Sequence, residues 1–201
     1  MPSKYRTIYD SIRKNQERYC SVPGCHKKRY RIGAFCINCG RQKWLWGHPE
    51  AKAVFKRDYL FEKKIVQEII DKNREHEGIQ HGLYFLESYM KKSAGDIRLP
   101  GFIHAKRLHE AGADPAGILV ELAAMYMLAY NKHTPVKDHN HLKYLLGSKF
   151  IRFKRCPAKV KGTEHRDVGE FINMNIGTLL LNIAKSAHKK LKQEGIQNDQ
   201  E

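Results

Sequence analysis

Residues 20–49 read CSVPGCHKKRYRIGAFCINCGRQKWLWGHP, and the rest of the chain is best understood outward from them. Four cysteines, Cys20, Cys25, Cys36 and Cys39, stand in the order Cys-x4-Cys-x10-Cys-x2-Cys. Two close-spaced pairs separated by a loop are the ligand spacing of a structural zinc site, in which each pair forms a knuckle and four thiolates complete a tetrahedron. A reducing compartment seldom keeps four clustered thiols for disulfides. Pro23-Gly24 supplies the turn that a tight knuckle needs before Cys25. Gly33 lies in the intervening basic loop, which is predicted as a short hairpin, and Arg41 to Trp46 as a short helical turn. The expected cofactor is one structural Zn²⁺ held by Cys20, Cys25, Cys36 and Cys39. The fifth cysteine, Cys156, stands alone and is read as a plain residue.

The same stretch resembles the small treble-clef zinc fingers of phage and mobile-element proteins. Those read Cys-x4-Cys, a basic segment with Arg and Gly, Cys-x2-His or Cys-x2-Cys, an aromatic-basic helix, then Gly-x-Pro; Gly47-His48-Pro49 matches the closing turn. The resemblance covers these thirty residues alone. It implies zinc and nucleic acid, since such modules accompany endonuclease VII-like and other HNH-type nucleases and also occur in proteins that only bind DNA.

Composition points the same way. The 201 residues carry 37 Lys+Arg against 21 Asp+Glu, a formal charge of +16. A charge this large bears on partners rather than on fold, and polyanions are the first class it suggests. Residues 1–60 hold 14 Lys+Arg and 4 Asp+Glu, residues 61–135 hold 10 and 10, and residues 136–201 hold 13 and 7, so the excess sits at both ends. Cations interleaved with aromatics suit phosphates and base stacking together. The contact candidates in the finger are Lys27, Lys28, Arg29, Tyr30, Arg31, Arg41, Lys43 and Trp46. For the tryptophans the favoured role is nonetheless burial, one or both capping the finger or docking it on the next helix. A second basic patch, an arm near residues 143–166, adds Arg152, Lys154 and Arg155, so the two patches read as a two-point clamp.

Beyond the finger the periodicity is helical. Helices are expected over residues 51–73 with Pro49 at the first position, after Gly78, over 101–113, over 118–130, over 137–150, and over 168–192. Asp114 and Pro115 make an N-cap and first turn for the apolar Ile118–Tyr130 stretch. The short Gly112 connection before it is read as a helical hairpin, with a DNA-reading helix-turn-helix as the alternative. Asp167 and Glu170 resemble a capping box for the last helix. The fold class is therefore mainly α, a small N-terminal treble-clef-like zinc module on a multi-helix domain. The domain reading is 1–49 for an N-terminal helix and the finger, 50–195 for the helical domain, and 196–201 for a disordered tail.

Asp138-His139-Asn140-His141 is the one catalytic candidate. HNH-type nucleases use a His to activate water and Asp with His or Asn to hold a divalent ion at the phosphate. Here that family's later Cys-x2-Cys and Asn are missing, and neighbouring residues on a helix point in different directions. The sequence thus favours binding over catalysis: a zinc-stabilised nucleic-acid-binding protein, DNA before RNA, of phage or mobile-element type. A metal-dependent nuclease using Asp138, His139 and His141 is the first alternative, and a protein-binding adaptor docking through the finger the second. No signal peptide or membrane span is visible, so a cytoplasmic location in a bacterial or phage-infected cell is expected, with no membrane partner.

Overall fold

Asp114 opens the helix around which the others gather. In the computed structural model, which describes residues 4–92, 99–130, 135–154 and 160–193, its carboxylate accepts from the backbone amides of Ala116 at 3.1 Å and Gly117 at 2.9 Å. These are amides that the first helical turn leaves unpaired. The helix that follows, Pro115–Tyr130, buries residues on every side, from Ile118 to Leu128. A helix apolar all round has to sit inside. Its one charge, Glu121, accepts from the Tyr59 hydroxyl at 2.7 Å and from the Lys63 ammonium.

The described residues form eight α-helices and no strand. In chain order they are α1 (Lys4–Gln16), α2 (Ile37–Trp46), α3 (Leu60–Lys72), α4 (Glu77–Lys92), α5 (Phe102–Glu110), α6 (Pro115–Tyr130), α7 (His139–Ile151) and α8 (Gly162–Gln193). α3, α4, α7 and α8 surround α6, and α5 rests on α4. The most extensive contact is between α7 and α8. There a Cβ built on Gly147 would stand 1.8 Å from the His165 carbonyl oxygen, and one on Gly169 1.8 Å from that of Lys143. Backbone meets backbone at this crossing because neither position has a side chain. The fold class is as expected, mainly helical with the cysteine cluster near the N-terminus. Among the described residues, no helix is long and apolar enough to cross a membrane.

Three local expectations need correction. The helix placed over 51–73 begins later: a 3₁₀ turn at Lys56–Tyr59 leads into α3, and the Phe55 amide donates to the Asp58 carboxylate at 2.8 Å. That cap sets the start, and Lys149 donates to the carbonyl of Val54, just before the turn, at 3.4 Å. The last helix begins earlier, at Gly162, so Asp167 and Glu170 lie inside it. Packing of His165, Val168 and Gly169 extends the helix past the local capping signal, and Glu170 pairs with Lys143 instead. Finally, α5 lies on α4 rather than folding back on α6, and α6 exposes no face that could enter a DNA groove. This removes both the helical hairpin and the helix-turn-helix. The tail over residues 196–201 lies outside the described residues.

Candidate metal centre and the basic module around it

The module is assembled from three short pieces of backbone. Val22-Pro23-Gly24-Cys25 closes a turn, with the Cys25 amide donating to the Val22 carbonyl at 3.1 Å and Gly24 at φ +72°. Proline followed by a glycine with positive φ is the composition of a type II turn. On either side of it the chain pairs antiparallel for one bridge, Tyr19 to Lys28, with the Cys20 amide on the Lys27 carbonyl at 2.8 Å and the Arg29 amide on that of Arg18 at 3.0 Å. This is a knuckle with Cys20 at its base and Cys25 at its tip. The third piece is α2, whose N-cap is Cys36: its sulfur accepts from the Cys39 amide at 3.5 Å.

These pieces bring all four predicted ligands together. Their sulfurs lie within 4.8 Å of one another, and among the described residues this is the cluster that could share an ion. Cys25 Sγ is 3.8 Å from both Cys36 Sγ and Cys39 Sγ. Such spacing is far beyond an S–S bond. It equals the edge, roughly 3.8 Å, of a tetrahedron with Zn–S bonds of about 2.3 Å. Cys20, Cys36 and Cys39 are buried and Cys25 half-buried. Burial opposes ionisation of Cys36, yet amides of Cys39 and Asn38 and the neighbouring thiols hold it down at about 7; burial and the other sulfurs push Cys39 up. Cys36 thus ionises readily, whereas Cys39 would need a bound cation to do so.

The module has little else to hold it. Its own core consists of the buried cysteines and Val22, with Phe35 packed alongside, separate from the main core. One buried valine contributes about 1.5–3 kcal/mol, whereas ordering a single backbone residue costs about 1–2 kcal/mol. A metal–thiolate centre would supply what the apolar contacts do not. The residues present fit zinc. Docking to the helical body comes through the end of α2: Gly47 lies against the Asn140 backbone, and Gly162 at the start of α8 lies against the carbonyls of Trp44 and Leu45. The negative end of one helix dipole thus faces the positive end of another.

The basic residues divide into those whose heads are bonded to the module's backbone and those that are exposed. Lys28 donates to the Glu17 carbonyl at 2.7 Å and lies over the Tyr19 ring. Arg29 binds the Tyr19 carbonyl and Ser21 hydroxyl, each at 2.9 Å. Both are committed to the fold. Lys27, Arg31, Arg41 and Lys43 are exposed. Of the tryptophans, Trp44 is the exposed one, at 56%, while Trp46, the one named as a contact candidate, is half-buried where α2 meets the body. No Asp or Glu occurs between Glu17 and Glu50, a run holding seven Lys+Arg.

Where it is described, the second patch is largely helical. Residues 143–151 belong to α7 and 162–166 to α8. Lys143 pairs with Glu170, Lys149 donates to the Tyr59 hydroxyl at 3.0 Å, and Lys154 caps α5 through the carbonyls of Ala111 at 2.7 Å and Gly112 at 3.2 Å. Arg152 is exposed, and Arg155 and Cys156 lie outside the described residues. Three cations of this patch are thus engaged within the body, while Arg152 and Lys161 remain exposed.

Asp138, His139 and His141 are not gathered into a site. Asp138 caps α7 by accepting from the His141 amide at 2.8 Å. His139 points to solvent, whereas His141 is fully buried and held by that burial at about 4. A second buried histidine that the sequence did not single out, His165, lies between α7 and α8 with its ring edge-on to Tyr144, also at about 4 through burial.

Fold and site together define a mainly α-helical protein bearing a four-cysteine metal-binding module near its N-terminus. Comparisons with family models, curated proteins and solved structures give no match to this chain.

Proposed function

We propose that the chain is a zinc-stabilised nucleic-acid-binding protein that prefers DNA to RNA and makes contact through its four-cysteine module. The observation that carries this reading is the acid-free run from Arg18 to Pro49, folded on the metal centre, with Lys27, Arg31, Arg41 and Lys43 left exposed. No carboxylate is interleaved in sequence with these cations, which suits a polyanion partner. The preference for DNA, the treble-clef type and the phage or mobile-element setting rest on the resemblance of residues 20–49. The nuclease alternative finds no support in the buried His141 and the capping Asp138.

The test is a salt titration of binding to a DNA duplex, a single strand and an RNA of equal length. Contact through about four to six phosphates gives a log–log slope of about −4 to −5, a loss of roughly 10²–10³ between about 50 and 200 mM salt. Replacing Arg31, Arg41 and Lys43 by glutamine lowers the slope by about 3. Affinity that is absent at low salt, or flat with salt, refutes the reading and leaves a protein-docking module.

A further inference from the structure

Beside the metal centre the module carries a cleft of about 290 Å³ whose walls include Tyr30, Gly33, Phe35, Ile37, Gly40 and Arg41. We infer that this cleft receives one unpaired nucleobase, stacked on Tyr30 and Phe35, while Arg31, Arg41 and Lys43 hold the flanking phosphates. The inference rests on the nucleic-acid reading above and deepens it, from charge alone to a single-stranded or everted base.

Three observations support the assignment. The first is shape: the cleft lies at the lower bound of the roughly 300–1,000 Å³ of ligand pockets, which suits one flat ring better than an extended molecule. Two of its lining positions, Gly33 and Gly40, have no side chain. A Cβ on Gly40 would reach to 3.9 Å of the Phe35 Cβ, and one on Gly33 to 3.4 Å of the Tyr30 carbonyl oxygen.

The second is that the cleft is already formed. The Tyr30 amide donates to the Phe35 carbonyl at 2.9 Å and the Gly33 amide to that of Tyr30 at 3.1 Å. From α1, the Asn15 side-chain amide binds the carbonyls of both Arg31 and Gly33 at 2.8 Å. A standing cleft saves the ordering cost of binding.

The third is charge. The Arg31 guanidinium lies over the Tyr30 ring at 5.1 Å and the Lys43 ammonium over the Phe35 ring at 4.9 Å. Each aromatic face therefore has a cation resting on it that is free to move to a phosphate when a base takes its place. Exposed Ile37 at 60% and Tyr30 at 43% line an entrance with no carboxylate in the same stretch of chain. An anionic polymer with aromatic units fits that surface, and an acidic peptide with an aromatic residue is the competing occupant.

Fluorescence anisotropy separates the cases, using labelled oligothymidylate of about 12 nucleotides, an abasic strand of the same length, a blunt duplex, and an acidic tyrosine-containing peptide. The wild type binds the thymidylate at least about tenfold tighter than the abasic strand. Tyr30→Ala removes roughly 5- to 150-fold on the thymidylate alone, the range of base–aromatic stacking, and Gly40→Leu does the same by filling the cleft. Zinc content by elemental analysis certifies that each variant keeps its module; if Gly40→Leu loses zinc, Tyr30→Ala and the abasic strand decide. Equal binding of abasic and base-bearing strands, or a uniform loss on every probe in Tyr30→Ala, overturns the base cleft and leaves phosphate binding standing. Tighter capture of the peptide also overturns it. Absence of binding to every oligonucleotide overturns both this inference and the nucleic-acid reading.

Discussion

The crossing of α7 and α8 makes Gly147→Ala the most exacting test of the fold. An added Cβ would sit 1.8 Å from the His165 carbonyl oxygen, 2.7 Å from its carbon and 2.9 Å from the Gly169 nitrogen. To restore even a 3.0 Å approach the helices must part by roughly 1.2 Å, and the obstacle is backbone, which has no rotamer to change. Leu146, Phe150, Val168 and Ile172 of the two helices are fully buried and feel the separation directly. A radial gap of about 0.5–1 Å forfeits a quarter to a half of each contact's attraction. With each side chain contributing about 2 kcal/mol by burial, the loosened packing costs about 2–4 kcal/mol. Against this, alanine is favoured over glycine in a helix by about 0.5–1 kcal/mol. The net expectation is a loss of about 2 kcal/mol, or about 4–8 °C in Tm for a chain of this size. Urea unfolding followed by far-UV circular dichroism measures it. Gly40→Ala serves as the control, because the same substitution in α2 meets its nearest neighbour only at 3.9 Å, so its stability stays level or rises. A Gly147→Ala midpoint at or above that of the wild type would refute the close crossing.

Two further outcomes are expected. His141 and His165 are each held at about 4 by burial, below the value near 6.5 of an unfolded histidine. Between those values the unfolded chain takes up protons that the folded chain refuses, so this stability is fully present above about pH 6.5 and falls as the pH drops toward 4, by at most about 3 kcal/mol per residue. Urea midpoints measured from pH 7.5 to 4.5 check the slope, and His165→Met flattens part of it; an unchanged slope in that variant would exclude the buried neutral imidazole. The second outcome concerns the metal. Elemental analysis gives one zinc per chain, and a strong chelator or Cys36→Ser removes it. Both tryptophans of the chain lie in α2, so their fluorescence reports the module melting while the helical signal of α6 to α8 largely persists. A module that keeps its tryptophan spectrum without metal defeats the zinc assignment.

What was legible in the sequence was whatever is set by neighbours in the chain. Cysteine spacing fixed the ligand set because knuckle geometry depends on a few consecutive residues, and Asp114-Pro115 announced α6 because a cap is a local bond. What was missed depends on partners remote in sequence. Asp167 and Glu170 carry the pattern of a helix start, yet contacts from α7 to His165 and Gly169 carry the helix further back. Lys143, Lys149 and Lys154 look like a phosphate-gripping run until Glu170, Tyr59 and the end of α5 claim them. Trp44 and Trp46 are two residues apart on a helix, so one faces the body and the other solvent, and spacing alone does not say which.

The redistribution of charge changes what the total of +16 means. Where cations near the C-terminus are paired or capping, they stabilise the body and leave little field for a ligand. Of the module's seven Lys+Arg, Lys27, Arg31, Arg41 and Lys43 stay exposed in a stretch without an acid, from which a zinc–tetrathiolate centre would subtract two units. Removing the metal returns those two units, making the apo module more positive while dissolving the cleft and the placement of Arg31, Arg41 and Lys43. Charge and shape therefore move in opposite directions on chelation. Affinity that grows with metal removal belongs to charge alone, and affinity that collapses belongs to the arrangement that the four cysteines impose.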